Sequence, residues 1–352
     1  MLQASFCKYI LKFKNPAMTS REVMLEKPTY YIKVWHDSEP EVFGIGECGL
    51  FPGLSCDDRP DYETRLSEAC RSINEIAGGD TALISDFPSI MFGVETALLD
   101  LENGGRRIIY PSLWTAGEMA ITINGLVWMG SKDEMIGRLG EKLEAGFRCI
   151  KFKVGGLDFE QELDMISSAR KAFSPEELEI RLDANGGFTP ENALSRLDRL
   201  AELDIHSIEQ PIKQRQWSEM AEICRLSPIP VALDEELIGI THPREMARMI
   251  DTVRPAYIIL KPSLCGGFSG CSNWIEAASR HDIGWWATSA LESNIGLNAI
   301  AQWVATQNVS MPQGLGTGQL YLNNVESPIR QTGQTLVYSP DGEWSIPDLE
   351  WN

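Results

Sequence analysis

Histidine is scarce in these 352 residues, basic side chains are outnumbered, and no long apolar run occurs. Each shortage removes a class of function. The four histidines, His36, His206, His242 and His281, lie far apart and make no ligand pair at helical spacing, which argues against a zinc site or a histidine base. Lys and Arg number 31 against 50 Asp and Glu, a formal charge of -19, the wrong sign for nucleic-acid phosphates or an anionic membrane. The acidic excess reads as a solubilising surface. No run approaches the roughly 20 apolar residues of a membrane helix. The first residues, Met1 to Lys14, alternate apolar and polar as a strand does, unlike a secretory leader. The eight cysteines include no Cys-x-x-Cys pair, Cys265 and Cys271 being nearest. They read as reduced, mostly buried thiols of a cytoplasmic protein, because a chain this long needs no disulfides to complete a core.

What is present is a repeat. The first hundred or so residues read as an α+β unit, with strands at Gln3–Phe13, Thr29–Trp35 and Glu41–Ile45 and a helix at Ser89–Leu101. From about Ala120 one pattern recurs: a short apolar strand, a charged or polar residue, a loop, an amphipathic helix. The strands read as Ala120–Asn124, Cys149–Val154, Leu178–Asp183, Ser207–Glu209, Val231–Asp234, Tyr257–Lys261 and Gly284–Ser289. The steps from Lys153 to Asp183, Glu209, Asp234, Lys261 and Thr288 are all between 25 and 30 residues, the length of one β/α module. Ser131 and Glu134 have capping-box spacing, Gly146 suits a helix C-cap, and Thr189–Pro190 suits a helix start. Seven or eight such units predict an α/β fold, a modified (β/α)8 TIM-type barrel. The expected division is an α+β capping domain over 1–115, the barrel over 116–324, and a C-terminal segment over 325–352. In that segment Leu336–Tyr338 and Glu343–Ile346 flank a turn at Ser339–Gly342 and predict a hairpin.

The strand ends carry the chemistry, because functional groups of such barrels sit at the C-terminal ends of strands. Here those ends present Lys153, Asp183, Glu209, Asp234 and Lys261 in order. Three carboxylates on neighbouring strands would repel one another unless a cation lay between them. All-oxygen ligation suits Mg²⁺, with Mn²⁺ possible. A lysine on each side suggests proton abstraction next to a substrate carboxylate.

These segments resemble the enolase superfamily, in particular its muconate-lactonizing subgroup. Lys151–Phe152–Lys153 is similar to the Lys-x-Lys motif of that subgroup. Leu182–Asp183–Ala184–Asn185, Ile208–Glu209–Gln210–Pro211 and Leu233–Asp234–Glu235 are similar to its metal-ligand segments, and Leu260–Lys261–Pro262 to its sixth-strand lysine. Ser20–Arg21–Glu22, Gly44–Cys48, Ile123–Leu126 and Thr288–Ser293 are similar to the o-succinylbenzoate synthases within it. The resemblance implies Asp183, Glu209 and Asp234 as metal ligands, Lys153 as base and then acid, and Lys261 as a cation over the ring. It implies supporting roles for Lys151, Asn185 and Glu235, and contacts to substrate or lid from Ser289, Glu292 and Arg21. Lid loops are expected at Met18–Arg21 and Gly49–Leu54. The dipeptide epimerases of the subgroup carry an Asp-x-Asp on the last barrel strands, where Thr288–Ser289–Ala290 stands here, which argues against an aminoacyl substrate.

The partner expected is therefore a small carboxylate, not nucleic acid or membrane, and oligomeric state is left open. The alternative is an N-succinylamino acid racemase or another cycloisomerase or epimerase of the subgroup, since two lysines also permit racemization. A nicotinamide-binding reading of Gly44-x-Gly46-x-x-Gly49 fails on Phe51–Pro52–Gly53, which breaks the helix that fingerprint requires.

Overall fold

In the computed structural model residues 1–18, 23–127 and 132–352 are described. Arg21, its Ser20–Arg21–Glu22 segment and Ser131 lie outside that set.

Alternating side chains build three long strands, β1 (Leu2–Met18), β2 (Val23–His36) and β3 (Glu39–Cys48), paired antiparallel in that order. Helices α1 (Tyr62–Arg71), α2 (Ile73–Ala77) and α3 (Pro88–Glu102) follow. Helix α3 starts on Pro88, whose fixed φ and missing N–H suit a first turn, and packs against β3. Glycine makes that approach possible: a Cβ on Gly44 would strike the Ala97 carbonyl, and one on Gly46 the Gly93 carbonyl. The Gly-x-Gly pair thus serves helix-on-sheet packing.

After β4 (Ile121–Thr122), the barrel runs through β5 (Gly125–Val127), α4 (Lys132–Glu144), β6 (Cys149–Lys153), α5 (Phe159–Ala172), β7 (Glu179–Asp183), α6 (Pro190–Ala201), β8 (Ser207–Glu209), α7 (Trp217–Leu226), β9 (Val231–Leu233) and α8 (Pro243–Val253). It continues with β10 (Tyr257–Leu260), α9 (Pro262–Cys265), α10 (Gly267–Ser279), β11 (Gly284–Ala287) and α11 (Asn294–Thr306). Strands β5 to β11 form one parallel sheet in chain order. Gln313–Gly314 closes it, bridging Ile123 on one side and Thr288 on the other. There the Gly314 N–H donates to the Ala287 carbonyl at 2.8 Å, and the Asn124 N–H donates to the Gln313 carbonyl at 2.9 Å. The predicted barrel is therefore present, with this short segment as its eighth strand. Ile180, Leu182, Ile208, Leu233, Ile258 and Leu260 are fully buried beneath the surrounding helices. The helix punctuation matches its chemistry: Thr189 precedes Pro190 at the start of α6, and Gly146 takes a φ of 86° just past α4.

Two expectations shift. The first barrel strand pairs through Gly125–Val127, because Ile121–Thr122 is drawn off to pair with the C-terminal hairpin. That hairpin is β12 (Ile329–Thr332) with β13 (Thr335–Tyr338), not Leu336–Tyr338 with Glu343–Ile346. The Ser339–Gly342 turn forms, but it leads out of the sheet, while Gly333 at φ 53° makes the tight reversal. As expected, Thr288–Ser289–Ala290 stands at the end of the seventh barrel strand, and Gln313–Gly314 is the eighth. Among the described residues no helix is long and apolar enough to cross a membrane.

Candidate active site

Parallel register puts the charged residues side by side. Lys153 on β6 pairs with Asp183 on β7, which pairs with Glu209 on β8, which pairs with Ala232 on β9 two residues before Asp234. Neighbouring strands are about 4.8 Å apart, so these side chains meet. Lys151 shares the face of Lys153, being two residues away on one strand. Lys261 follows β10 directly.

The ammonium groups lie on the carboxylates. Lys153 is paired with Asp183 and Lys261 with Asp234. Lys151 Nζ is 2.9 Å from Glu209 Oε2 and 3.2 Å from Asp183 Oδ2. Lys153 also donates to Asn185 Oδ1 at 2.7 Å, and Asn185 donates to Glu235 Oε1 at 2.8 Å. Asn185 takes a φ of 43°, a left-handed conformation that asparagine tolerates better than most residues, and its N–H is 3.1 Å from Asp183 Oδ1. The two lysines approach this arc from opposite sides, Lys153 from β6 and Lys261 from β10.

Charge is not balanced in the arc. Lys151, Lys153 and Lys261 face Asp183, Glu209, Asp234 and Glu235, three positive groups against four negative ones. Burial, then repulsion from Asp183, pushes the Glu209 carboxyl well above its usual range. Burial and Asp234 push Glu235 up as well. Asp183 goes the other way: burial opposes its charge, but Lys153 and Lys151 outweigh that and hold it well below the usual range. Burial lowers Lys261, yet Asp234 and Glu235 more than reverse this, so it is held protonated. Lys151 is raised for the same reason, with Glu209 and Asp183 outweighing burial.

Glu209 Oε1 and Glu235 Oε2 are buried without a hydrogen-bond partner among the described residues. With the lysines in place, no three His, Cys, Asp or Glu groups among those residues converge on one cation position. The donor set is nonetheless all carboxylate oxygen, in negative excess, with an orphaned oxygen, and this fits a hard divalent cation.

Above the arc opens a cleft of about 1110 Å³, its mouth included. Lys151, Lys153, Asn185, Glu235 and Lys261 line its floor, and Thr288 to Leu291 one wall. Phe51 and Leu54, from the predicted Gly49–Leu54 loop, and Leu320 bring apolar surface to it. Ser289 is therefore at the cavity, where Thr317 donates to its hydroxyl at 2.8 Å. Glu292 is not on the cavity wall. It is fully buried behind it, accepting from the Ser263 hydroxyl at 2.6 Å and the Ala290 N–H at 2.7 Å.

Sequence reasoning missed two features. Gln210 is buried at φ 42° and accepts from the N–H groups of Asp234 and Glu236 at 3.3 and 3.1 Å, fixing the turn that presents Asp234. Gly314 of the last strand and Gly316 and Thr317 in the turn after it line the cleft. The Gly-rich run 314–318 was a visible signal for that strand.

The chain can be compared with known proteins on this footing. Residues 134–336 match the family described as enolase C-terminal domain-like. The curated o-succinylbenzoate synthase of Desulfotalea psychrophila is 44% identical over 96% of this chain and 99% of its own length. This chain belongs to the o-succinylbenzoate synthase family of the enolase superfamily. The solved MenC structure from the same organism superposes with a TM-score of 0.83 at 42% identity, covering 96% of this chain and 99% of that one. The L-Ala-D/L-Glu epimerase of Bacillus subtilis is more distant, 26% identical over 83% of this chain and 81% of its own. Enzymes of the enolase superfamily generally use Mg²⁺.

Proposed function

We propose that the chain is a lyase that dehydrates 2-succinyl-6-hydroxy-2,4-cyclohexadiene-1-carboxylate to 2-succinylbenzoate, a step of menaquinone biosynthesis in the cytoplasm. The observation that carries the reading is the pair of lysines reaching one carboxylate arc from opposite strands, in a chain of this family. Asp183, Glu209 and Asp234 would hold Mg²⁺, or Mn²⁺, which supplies positive charge for the substrate carboxylate and for the negative charge that develops on it. As the neutral amine, Lys153 takes the proton alpha to that carboxylate, and as the ammonium it returns this proton to the departing hydroxyl. Carbon loses one proton and one hydroxide, water leaves, and the ring becomes aromatic. Lys261, held protonated by Asp234 and Glu235, stays cationic and stabilises the enediolate. Lys151 neutralises Glu209 and Asp183, Asn185 orients Lys153, and Glu235 orients Asn185. Phe51 and Leu54 exclude water from above, and Ser289 faces the remainder of the substrate.

The same reading makes residues 1–115 the cap, 116–324 the catalytic barrel and 325–352 a brace. Its partner is a small carboxylate. Arg21 keeps its proposed place in the lid on sequence grounds alone. The test is turnover of the purified protein with the cyclohexadiene acid, followed by loss of diene absorbance. Rapid dehydration is expected. Metal binding without dehydration would defeat the substrate assignment. Because two opposed lysines also suit a racemase, N-succinylamino acids are the comparison substrates, and faster racemization than dehydration would favour that reading.

A further inference from the structure

The cleft does not stop above the arc. It also runs along the seam where β5 meets the last barrel strand, past Asn124, Leu126, Gly316 and Gln331, to Phe147 and Lys142. The seam is thin. Strand β5 is three residues long, the last strand is only Gln313–Gly314, and among the described residues no barrel helix stands between that strand and the hairpin at Ile329. Gly316 keeps the passage open. A Cβ there would meet nothing closer than Ile123 Cδ1 at 3.5 Å, so crowding does not demand glycine, and its lack of a side chain leaves space.

The two ends of the cleft differ in polarity. At the lid end Phe51, Leu54, Leu291 and Leu320 are apolar, and the Ser289 hydroxyl already accepts from Thr317 at 2.8 Å and from the Leu291 N–H at 2.9 Å. A carboxylate seated there would lose hydration for little return. On the floor the three lysines are committed to Asp183, Glu209 and Asp234. Apart from these lysines and Glu235, Lys142 in the last turn of α4 is the one charged side chain lining the cleft among the described residues. It is half-buried, and its Nζ lies 5.1 Å from the centre of the Phe147 ring, which itself lines the cleft. No carboxylate among the described residues forms an ion pair with it. The adjacent Glu141 acts on it only weakly and is itself exposed.

We propose that Lys142 is the anion-binding end of the substrate site, its ammonium taking the distal carboxylate of the succinyl tail while the ring carboxylate sits at the arc. The inference rests on the dehydratase reading and names the subsite for the second charge of that substrate. An ammonium that is partly desolvated, lies against an aromatic ring and lacks a counter-ion gains more from a carboxylate than a fully exposed one does. Asn124 and Gln331 give the passage a neutral polar lining that neither repels the tail nor competes for its charge.

The test separates the tail carboxylate from the rest of the ligand. The full chain with Mg²⁺ is titrated calorimetrically with the product, 2-succinylbenzoate, and with 2-butanoylbenzoate. The second compound keeps the ring carboxylate and the ketone but carries a methyl group in place of the distal carboxylate. Wild type should bind the dicarboxylate about tenfold more tightly. Lys142→Met should bind the two alike, and Lys142→Arg should keep most of the preference. In turnover Lys142→Met should raise KM about tenfold with kcat within about threefold, because the tail is remote from the proton transfer. A Lys142→Met variant that prefers the dicarboxylate as strongly as wild type does would overturn the proposal. So would a wild type that binds the two compounds alike, or a preference that disappears in Arg21→Met instead, which would place the tail in the lid. Those results leave the dehydratase reading standing. A wild type that neither dehydrates the cyclohexadiene acid nor binds its product would defeat that reading and this inference with it.

Discussion

Strand β7 carries a buried ion at each end of the barrel, and the two are treated differently. At the N-terminal end Arg181, 1% exposed, donates to Glu179 at 2.7 Å and to the Pro312 carbonyl at 2.9 Å, and its guanidinium lies 4.4 Å from the centre of the Trp286 ring. His206 stacks on Tyr257 beside it. Two residues on, Asp183 enters an arc where carboxylates outnumber ammonium groups and Glu209 and Glu235 each keep an unpartnered oxygen. One end sets a single cation against a carboxylate, a carbonyl and an aromatic face, with only Arg181 Nη2 left without a hydrogen-bond partner among the described residues. The other leaves room for charge the protein does not supply. That difference separates a structural ion pair from a site, and burial alone would not have revealed it.

The sharpest way to test the contrast is to remove metal. Stripping with EDTA should abolish turnover and leave the fold intact by circular dichroism; full activity without metal would erase the distinction. Lys261→Ala should lower kcat by about 10²–10³-fold with metal affinity retained, through lost stabilisation of the developing charge. Near-normal rates would refute its role. At the other end, Arg181→Met should lower stability by about 1–2 kcal/mol, read from the urea midpoint, because the buried Pro312 carbonyl loses its donor and the part-exposed Glu179 its partner. Its kcat should hardly move, and a large kcat loss at unchanged stability would break the comparison. Smallest of all, Ser289→Ala should raise KM a fewfold, about 1 kcal/mol, by loosening Leu291 and Thr317.

Much of this was readable in sequence because barrel periodicity fixes both strand spacing and which residue stands at each strand end. Lys153, Asp183, Glu209, Asp234 and Lys261 follow from that alone. The hairpin was misplaced because β13 is chosen by its partner β4, more than 200 residues earlier, and not by the local Ser-Pro-Asp-Gly turn. The last strand was missed because two residues carry no periodicity, although its glycines were in view. Position in the chain places Glu292 at the substrate or in the loop over it, without distinguishing a contact from a support behind the wall. Its burial follows from Ser263 and Ala290, and the neighbouring Glu47–Ser293 contact spans 246 residues. Such contacts have no local signature.

The central claim is that Lys153 moves the proton. Lys153→Ala, loaded with Mg²⁺ and given substrate in heavy water, tests it most directly by NMR. The account predicts neither dehydration nor exchange of the alpha proton, with metal still bound. Exchange or dehydration by that variant at an appreciable fraction of the wild-type rate would contradict it.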